Sequence, residues 1–162
     1  MSDPMSDPTS QPAPTTMTAA AMARACADAM WRDDDATQGL GMALGDVAPG
    51  AAVITMTVSQ QMVNGHGMCH GGYIFTLADS AFAFACNTYN QRVVAQHCSI
   101  TYLAMARLGE TLTASARETS RQGRSGIYDI MVSKDDGTVV AIFRGHSRTI
   151  RGEFFPGVTV AG

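Results

Sequence analysis

The sequence predicts an α+β fold, a long central helix wrapped by a curved antiparallel sheet, with an extra helix in front. Three observations lead there. One stretch, from Gly71 to Cys86 (GGYIFTLADSAFAFAC), is apolar over a full helix length. Short runs rich in alternating or β-branched residues lie on both sides of it, bounded by Gly- and Pro-containing turns. Their order is strands, one long helix, then several strands, which builds an antiparallel sheet with a helix against one face.

Residues 1–16 state MSDP twice and continue with Pro, Ser and Thr. Such a composition buries too little apolar surface to offset the entropy of ordering, so it reads as a disordered tail. The folded domain is expected over residues 17–152, with residues 153–162 as a C-terminal tail. From Met17 to Arg32, Met22, Cys26, Ala29 and Met30 recur at helical spacing, with Thr16 or Thr18 as N-cap. Gly39–Asp46 and Ala51–Val58 read as a hairpin around Val47-Ala48-Pro49-Gly50. After the long helix, Val93–Leu103 is strand-like. Thr111–Glu118 alternates, with Leu112, Ala114 and Ala116 pointing one way. Gly126–Ser133 and Thr138–Ile150 flank a hairpin loop, Lys134-Asp135-Asp136-Gly137.

A chain of 162 residues reads as one domain with a real core, and eleven methionines supply adaptable filler for it. A formal net charge of -3 argues against nucleic-acid binding. No apolar run approaches the ~20 residues of a membrane helix, so no membrane partner is expected. The N-terminus lacks the basic-then-apolar pattern of a secretory signal. Cys26, Cys69, Cys86 and Cys98 are scattered, as reduced thiols in a cytoplasm would be.

The long helix carries one acid, Asp79, among residues that cover every face with apolar groups. A helix apolar all round is expected to be buried all round, and a buried carboxylate is costly unless paired or used. Two blander readings compete: Asp79 caps a second, shorter helix with help from Ser80, or it pairs with an arginine on a neighbouring strand. At the other end His70-Gly71-Gly72 opens the helix, where free N–H groups and the dipole favour an oxygen gaining negative charge. Gly71 and Asp79 are separated by ~12 Å along the axis at ordinary helical rise, too far to serve one carbonyl from one chain. Two antiparallel copies of the helix bring the start of one to the acid of the other. The spacing therefore favours a composite site in a homodimer.

Other chemistries fit less well. His66, Cys69 and His70, with His97 or Cys98, suggest zinc, but consecutive Cys69-His70 project apart, so no metal site is expected. Cys69 as an activated thiol lacks a well-placed base. Packing for Cys69 and loop-holding for His70 explain these residues better. No phosphate-binding glycine motif stands between a strand and a helix. Arginines 121, 124, 144, 148 and 151 are the one concentration of positive charge.

Asn64, His70, Gly71 and Gly72, followed by Leu77 and Asp79, form N-x-x-x-x-x-H-G-G with L-x-D downstream. This resembles the hotdog-fold acyl-CoA thioesterases of the phenylacetic acid degradation (PaaI) type. The likeness continues in Ser99–Tyr102 (SITY), Leu108–Glu110 (LGE), Gly123–Ile130 and Phe143–Ser147 (FRGHS), covering roughly Gly39 to Gly152. It implies dimers that pair into tetramers, with coenzyme A along the subunit boundary. It also implies that the Gly71 N–H binds the thioester carbonyl, Asn64 orients the site, and Asp79 of the opposite protomer acts as base or nucleophile. Some relatives place a Ser or Thr on the following strand to hold the water. Ala95 stands there in this chain, so that role falls to Ser80 or to a water held by Gln96.

The expected reaction is hydrolysis of an acyl-CoA to the free acid and coenzyme A, with no cofactor beyond the CoA of the substrate. The catalytic set is Asp79, Gly71, Asn64 and His70. Gly72, Ala78 and Phe82 are expected to bind substrate, Ala78 and Phe82 with Ala81 along the acyl group, and Arg121, Arg124 and Arg148 near the CoA phosphates. Small and aromatic helix residues suit phenylacetyl-CoA, a hydroxylated phenylacetyl-CoA or a medium-chain acyl group alike. The competing readings are a hotdog enoyl-CoA hydratase or dehydratase using His70 with Asp79, and a non-catalytic acyl-CoA-binding module.

Overall fold

Gly71–Cys86 forms the longest helix, α3, and the rest of the chain is arranged around it in the computed structural model, which describes residues 15–161. Before it come β1 (Thr16–Met17), α1 (Ala19–Arg32), α2 (Asp35–Gly39), β2 (Ala43–Ala48) and β3 (Ala51–Thr57). After it come β4 (Val93–Tyr102), β5 (Thr111–Gln122), β6 (Ser125–Lys134), β7 (Val139–Thr149) and β8 (Thr159–Val160). Six strands make one antiparallel sheet in the order β2-β3-β5-β6-β7-β4. Register shifts interrupt the ladders at Leu44/Val47, Ala95/His97, Glu118/Ser120 and Val132/Ser133. Each extra residue adds local twist, so the sheet curls and its concave face receives α3.

On three strands the inward residues are those that alternation selects: Ala52, Ile54 and Met56 on β3, Leu112, Ala114 and Ala116 on β5, Tyr128, Ile130 and Val132 on β6. Against them α3 buries Ile74, Leu77, Ala78, Ala81, Phe82 and Ala85. Contact is tight at Gly145 of β7, where an added Cβ would lie 2.8 Å from the Phe82 ring. Only a bare backbone lets the helix approach that far.

Several elements depart from the sequence expectation. The first hairpin strand begins at Ala43, because residues 35–39 form α2. Its cap is Asp34, whose carboxylate accepts from Thr37 N at 3.0 Å and Thr37 Oγ1 at 2.7 Å. The first helix starts at Ala19, with Thr18 Oγ1 accepting from Ala21 N, and buries Met22, Ala23, Cys26 and Ala27. Residues 1–14 of the expected tail lie outside the described residues. Thr16 and Met17 pair in parallel with Thr159 and Val160, so both expected tails contribute to a small second sheet. Asn90, at φ 57°, secures that region by accepting from Phe155 N and donating to Phe155 O, both at 2.9 Å.

The burial of α3 also needs correction. The helix is not buried all round: Phe75, Thr76, Asp79, Ser80 and Ala83 lie half-buried along one stripe. The spacing of those positions is one face of a helix, and Asp79 sits in the middle of it. The sheet supplies cover for the other faces only.

Candidate active site

The approach to α3 is built by a loop that Asn64 folds. Its Oδ1 accepts from His66 N at 2.9 Å and Met68 N at 3.2 Å, and its backbone N–H bonds Met68 O. His70 is the N-cap, with Nδ1 accepting from Gly72 N at 2.9 Å. That fixes the ring in the tautomer with its proton on Nε2. It also occupies Gly72 N–H, so Gly72 has no free amide for a ligand. Gly71 N–H has no protein acceptor among the described residues. It is the free donor at the positive end of the helix dipole.

Tyr102 Oη donates to Gly71 O at 2.8 Å, and a Cβ on Gly71 would meet the Tyr102 ring at 3.0 Å. Beside them opens a cleft of about 400 Å³, with Asn64, Met68, Cys69, Ile74, Leu103 and Met105 in its walls. Asp79 does not line it. Helix rise alone separates the free N–H from the acid by ~12 Å.

Asp79 is part of one uninterrupted helix, so it caps nothing. Ser80 Oγ meets Thr37 Oγ1 at 3.2 Å, away from any capping role. No arginine pairs with Asp79 among the described residues. Its hydrogen-bond partner is Cys98 on β4, whose Sγ lies 3.8 Å from Oδ1. Burial raises the Asp79 pKa, and the Cys98 hydrogen bond pulls it part of the way back. The Cys98 thiol is itself pushed up to about 11 by burial and then by the neighbouring carboxylate. In the sequence Cys98 stood out only as a possible zinc ligand, and the strand position beside Asp79 was expected at Ala95, which is exposed at the β4 bulge.

Two expected substrate contacts are corrected. Ala78 and Phe82 are 0% and 1% exposed, on the face of α3 that meets the sheet. Phe82 packs on Tyr128 and Phe143, with ring centroids 5.5 and 6.1 Å away. They are core: the polar residues Thr76, Asp79 and Ser80 fall at i, i+3 and i+4 on one face of α3, and Ala78 and Phe82 turn the opposite way, toward the sheet. Cys69 is buried, and burial raises its thiol pKa. Among the described residues no three His, Cys, Asp or Glu side chains meet as a metal-binding group.

Arg121, Arg124 and Arg148 gather at the end of the sheet where α3 stops. Arg124 O accepts from Thr149 N, and Arg148 is in register with Ser125 and Val94. The Arg121 guanidinium lies 3.8 Å from the Tyr89 ring centroid and Nε 3.6 Å from Glu118 Oε2. Arg124 and Arg148 have no carboxylate partner among the described residues.

Residues 66–141 match the thioesterase superfamily. The acyl-coenzyme A thioesterase PaaI of Escherichia coli K12 is 44% identical over 126 residues, covering 78% of this chain and 90% of its own. The structure of the E. coli PaaI protein from the phenylacetic acid degradation operon superposes with a TM-score of 0.83 at 40% identity, covering 88% of this chain and all of its own. The smu.793 protein of Streptococcus mutans UA159, solved bound to acetyl CoA, gives a TM-score of 0.66 at 26% identity over 69% of this chain and 90% of its own. No described helix is long and apolar enough to cross a membrane. With its sheet wrapped around α3 and these likenesses along most of its length, the chain belongs to the thioesterase superfamily, as a hotdog-fold acyl-CoA thioesterase of the PaaI type.

Proposed function

We propose that the chain hydrolyses an aryl-acetyl or medium-chain acyl-CoA, such as phenylacetyl-CoA or a hydroxylated relative, in a site shared by two protomers. One observation carries this reading: the free Gly71 N–H and the half-buried Asp79 belong to one helix yet lie too far apart for one carbonyl. Gly71 N–H of one protomer polarises the thioester carbonyl and holds the tetrahedral oxyanion. Asp79 of the other activates water or attacks the carbonyl itself. His70 closes the first turn so that Gly71 N–H stays aimed outward, and Asn64 shapes the loop before it. The coenzyme A thiolate then leaves, and no cofactor beyond the substrate's own CoA is called on.

The cleft beside Gly71 takes over the acyl-binding role first given to Ala78 and Phe82. Its volume of about 400 Å³ and its Met68, Ile74, Leu103 and Met105 walls suit an aromatic or medium aliphatic group. The unpaired Arg124 and Arg148, with Arg121, suit the phosphates of coenzyme A. Hydrolysis is favoured over the hydratase reading because His70 spends Nδ1 on the helix cap.

Edge strand β4 supports the dimer. Ten residues long, it ladders only with β7, and Val94 and Tyr102 are 45% and 48% exposed on it. A partner strand there would complete the ladder, and the pair would form a dimer of dimers with another such pair.

The test is a panel of aryl-acetyl, benzoyl and straight-chain acyl-CoAs, with released thiol followed spectroscopically. Preference for aryl-acetyl or medium-chain members is expected. Turnover confined to acetyl-CoA or to long chains would refute the acyl assignment.

A further inference from the structure

We infer that Cys98 is a positioning residue for Asp79, its S–H holding one carboxylate oxygen so that the other faces the reacting water or carbonyl. The inference rests on the reading of Asp79 as base or nucleophile.

The sheet is built to aim this thiol. Val93 at the start of β4 packs on the core, so simple alternation would turn Ala95 and His97 inward and Cys98 outward. The register shift between Ala95 and His97 reverses the phase. Cys98 and Ile100 then pack inward, and His97 is exposed. Opposite Cys98 on β7 stands Gly145, whose missing side chain leaves the Phe82 ring room to lie against the sheet. Phe82 in turn fixes how α3 presents its next face.

At 3.8 Å the thiol is the sole hydrogen-bond partner of the Asp79 carboxylate among the described residues. A half-buried carboxylate on a helix still has more than one χ1 well and a broad χ2 open to it unless something holds it. The elements packed on α3 offer little else that is charged. β3 and β5 present apolar side chains. From β6 comes Tyr128, whose hydroxyl donates to Glu118, and from β7 come Phe143 and Gly145. On α3 itself the Cys86 thiol is pushed up to about 12, chiefly by burial, and so stays neutral. Cys98 is likewise protonated at neutral pH, and a protonated thiol donates.

The experiment compares Cys98→Val, which keeps volume but donates nothing, and Cys98→Ala with the parent, each checked for native circular dichroism and oligomeric state. Both should lose kcat by about three- to tenfold, the scale of one hydrogen bond, with KM little changed. Losing the donor should also move the acid limb of the kcat–pH profile upward by roughly half to one unit, because the ionised carboxylate loses a stabilising contact. Profiles and kcat that superpose on the parent in either folded variant would overturn the inference. Asp79→Asn run in parallel separates the two failures. If it is inactive while the Cys98 variants are unchanged, only the positioning role falls; if it retains turnover, the reading of Asp79 falls and takes this inference with it.

Discussion

Asp79 and Gly71 show what a single helix can and cannot do. The carboxylate sits half-buried, where its charged form is penalised, and the proposed chemistry needs that charged form. Asp79→Asn should therefore lower kcat by ~100-fold or more with the fold intact, on the usual scale of a positioned acid-base group. Its effect on stability has the opposite sign. A folded pKa raised above the unfolded value of ~4 means the folded state holds its proton more tightly. Stability is then lost as pH rises from that unfolded value through the raised one. The Asn variant escapes this loss, so its Tm should exceed the parent's at about pH 8 and the gap should close near pH 4. Equal melting temperatures at both pH values would show that Asp79 carries no burial penalty.

At the scale of elements, the approach of α3 to β7 depends on Gly145. A methyl group there would lie 2.8 Å from three Phe82 ring atoms, and that ring is already packed by Tyr128 and Phe143. Gly145→Ala should cost about 1–3 kcal/mol by overpacking, read from urea denaturation. A neutral result would mean the sheet flexes enough to absorb the methyl. Strand existence was legible because alternation marks it: Leu112, Ala114 and Ala116 were expected on one side of β5 and are buried there. α2 was not legible as a helix, since five residues give too short a period, although Asp34 with Thr37 three positions on carried a capping signal. The bulge in β4 left no mark either. An extra residue in a strand is set by its neighbours, and it decides that Cys98 rather than His97 faces the helix.

At the scale of the whole molecule, helix and strand run antiparallel with matched lengths. Gly71 is level with Tyr102, and Asp79 with Cys98. Four strand residues and eight helix residues both span roughly 12–14 Å. If β4 pairs with its own copy and Gly71 of the partner reaches the level of Asp79, the two-fold axis passes near Ile100, midway between Cys98 and Tyr102. Ser99 then faces the partner's Thr101, and a Ser99→Cys/Thr101→Cys double variant should cross-link between protomers under mild oxidation. Exclusively monomeric protein after oxidation would reject this register. Catalysis offers the second check. Gly71→Val and Asp79→Asn should each be nearly inactive alone. After subunit exchange, confirmed with differently tagged chains, one site of each heterodimer collects both lesions and the other neither. Activity should return to about half of the parent level per heterodimer. Complete exchange without recovery would put both residues in one protomer's site.

The sequence by itself determined the α+β class, the long helix from Gly71, the hairpins and the candidate residues Asn64, His70, Gly71 and Asp79. These rest on local signals: periodicity, capping and the chemistry of one acid in an apolar run. The family followed from motifs whose order and spacing agree. Tertiary structure decided how completely the sheet covers the side of that helix opposite Thr76, Asp79 and Ser80, and with it the change of Ala78 and Phe82 from ligand contacts to core. It also decided that His70 uses the Gly72 amide and leaves Gly71's free, and that Cys98 is the group touching Asp79. Residues 72 and 98 meet their partners through a cap geometry and a bulge, and neither is written in a period. The spacing of Thr76, Asp79 and Ser80 marks one side of the helix as the more polar, and the curved sheet, by covering the other faces, leaves that stripe with its acid half-covered.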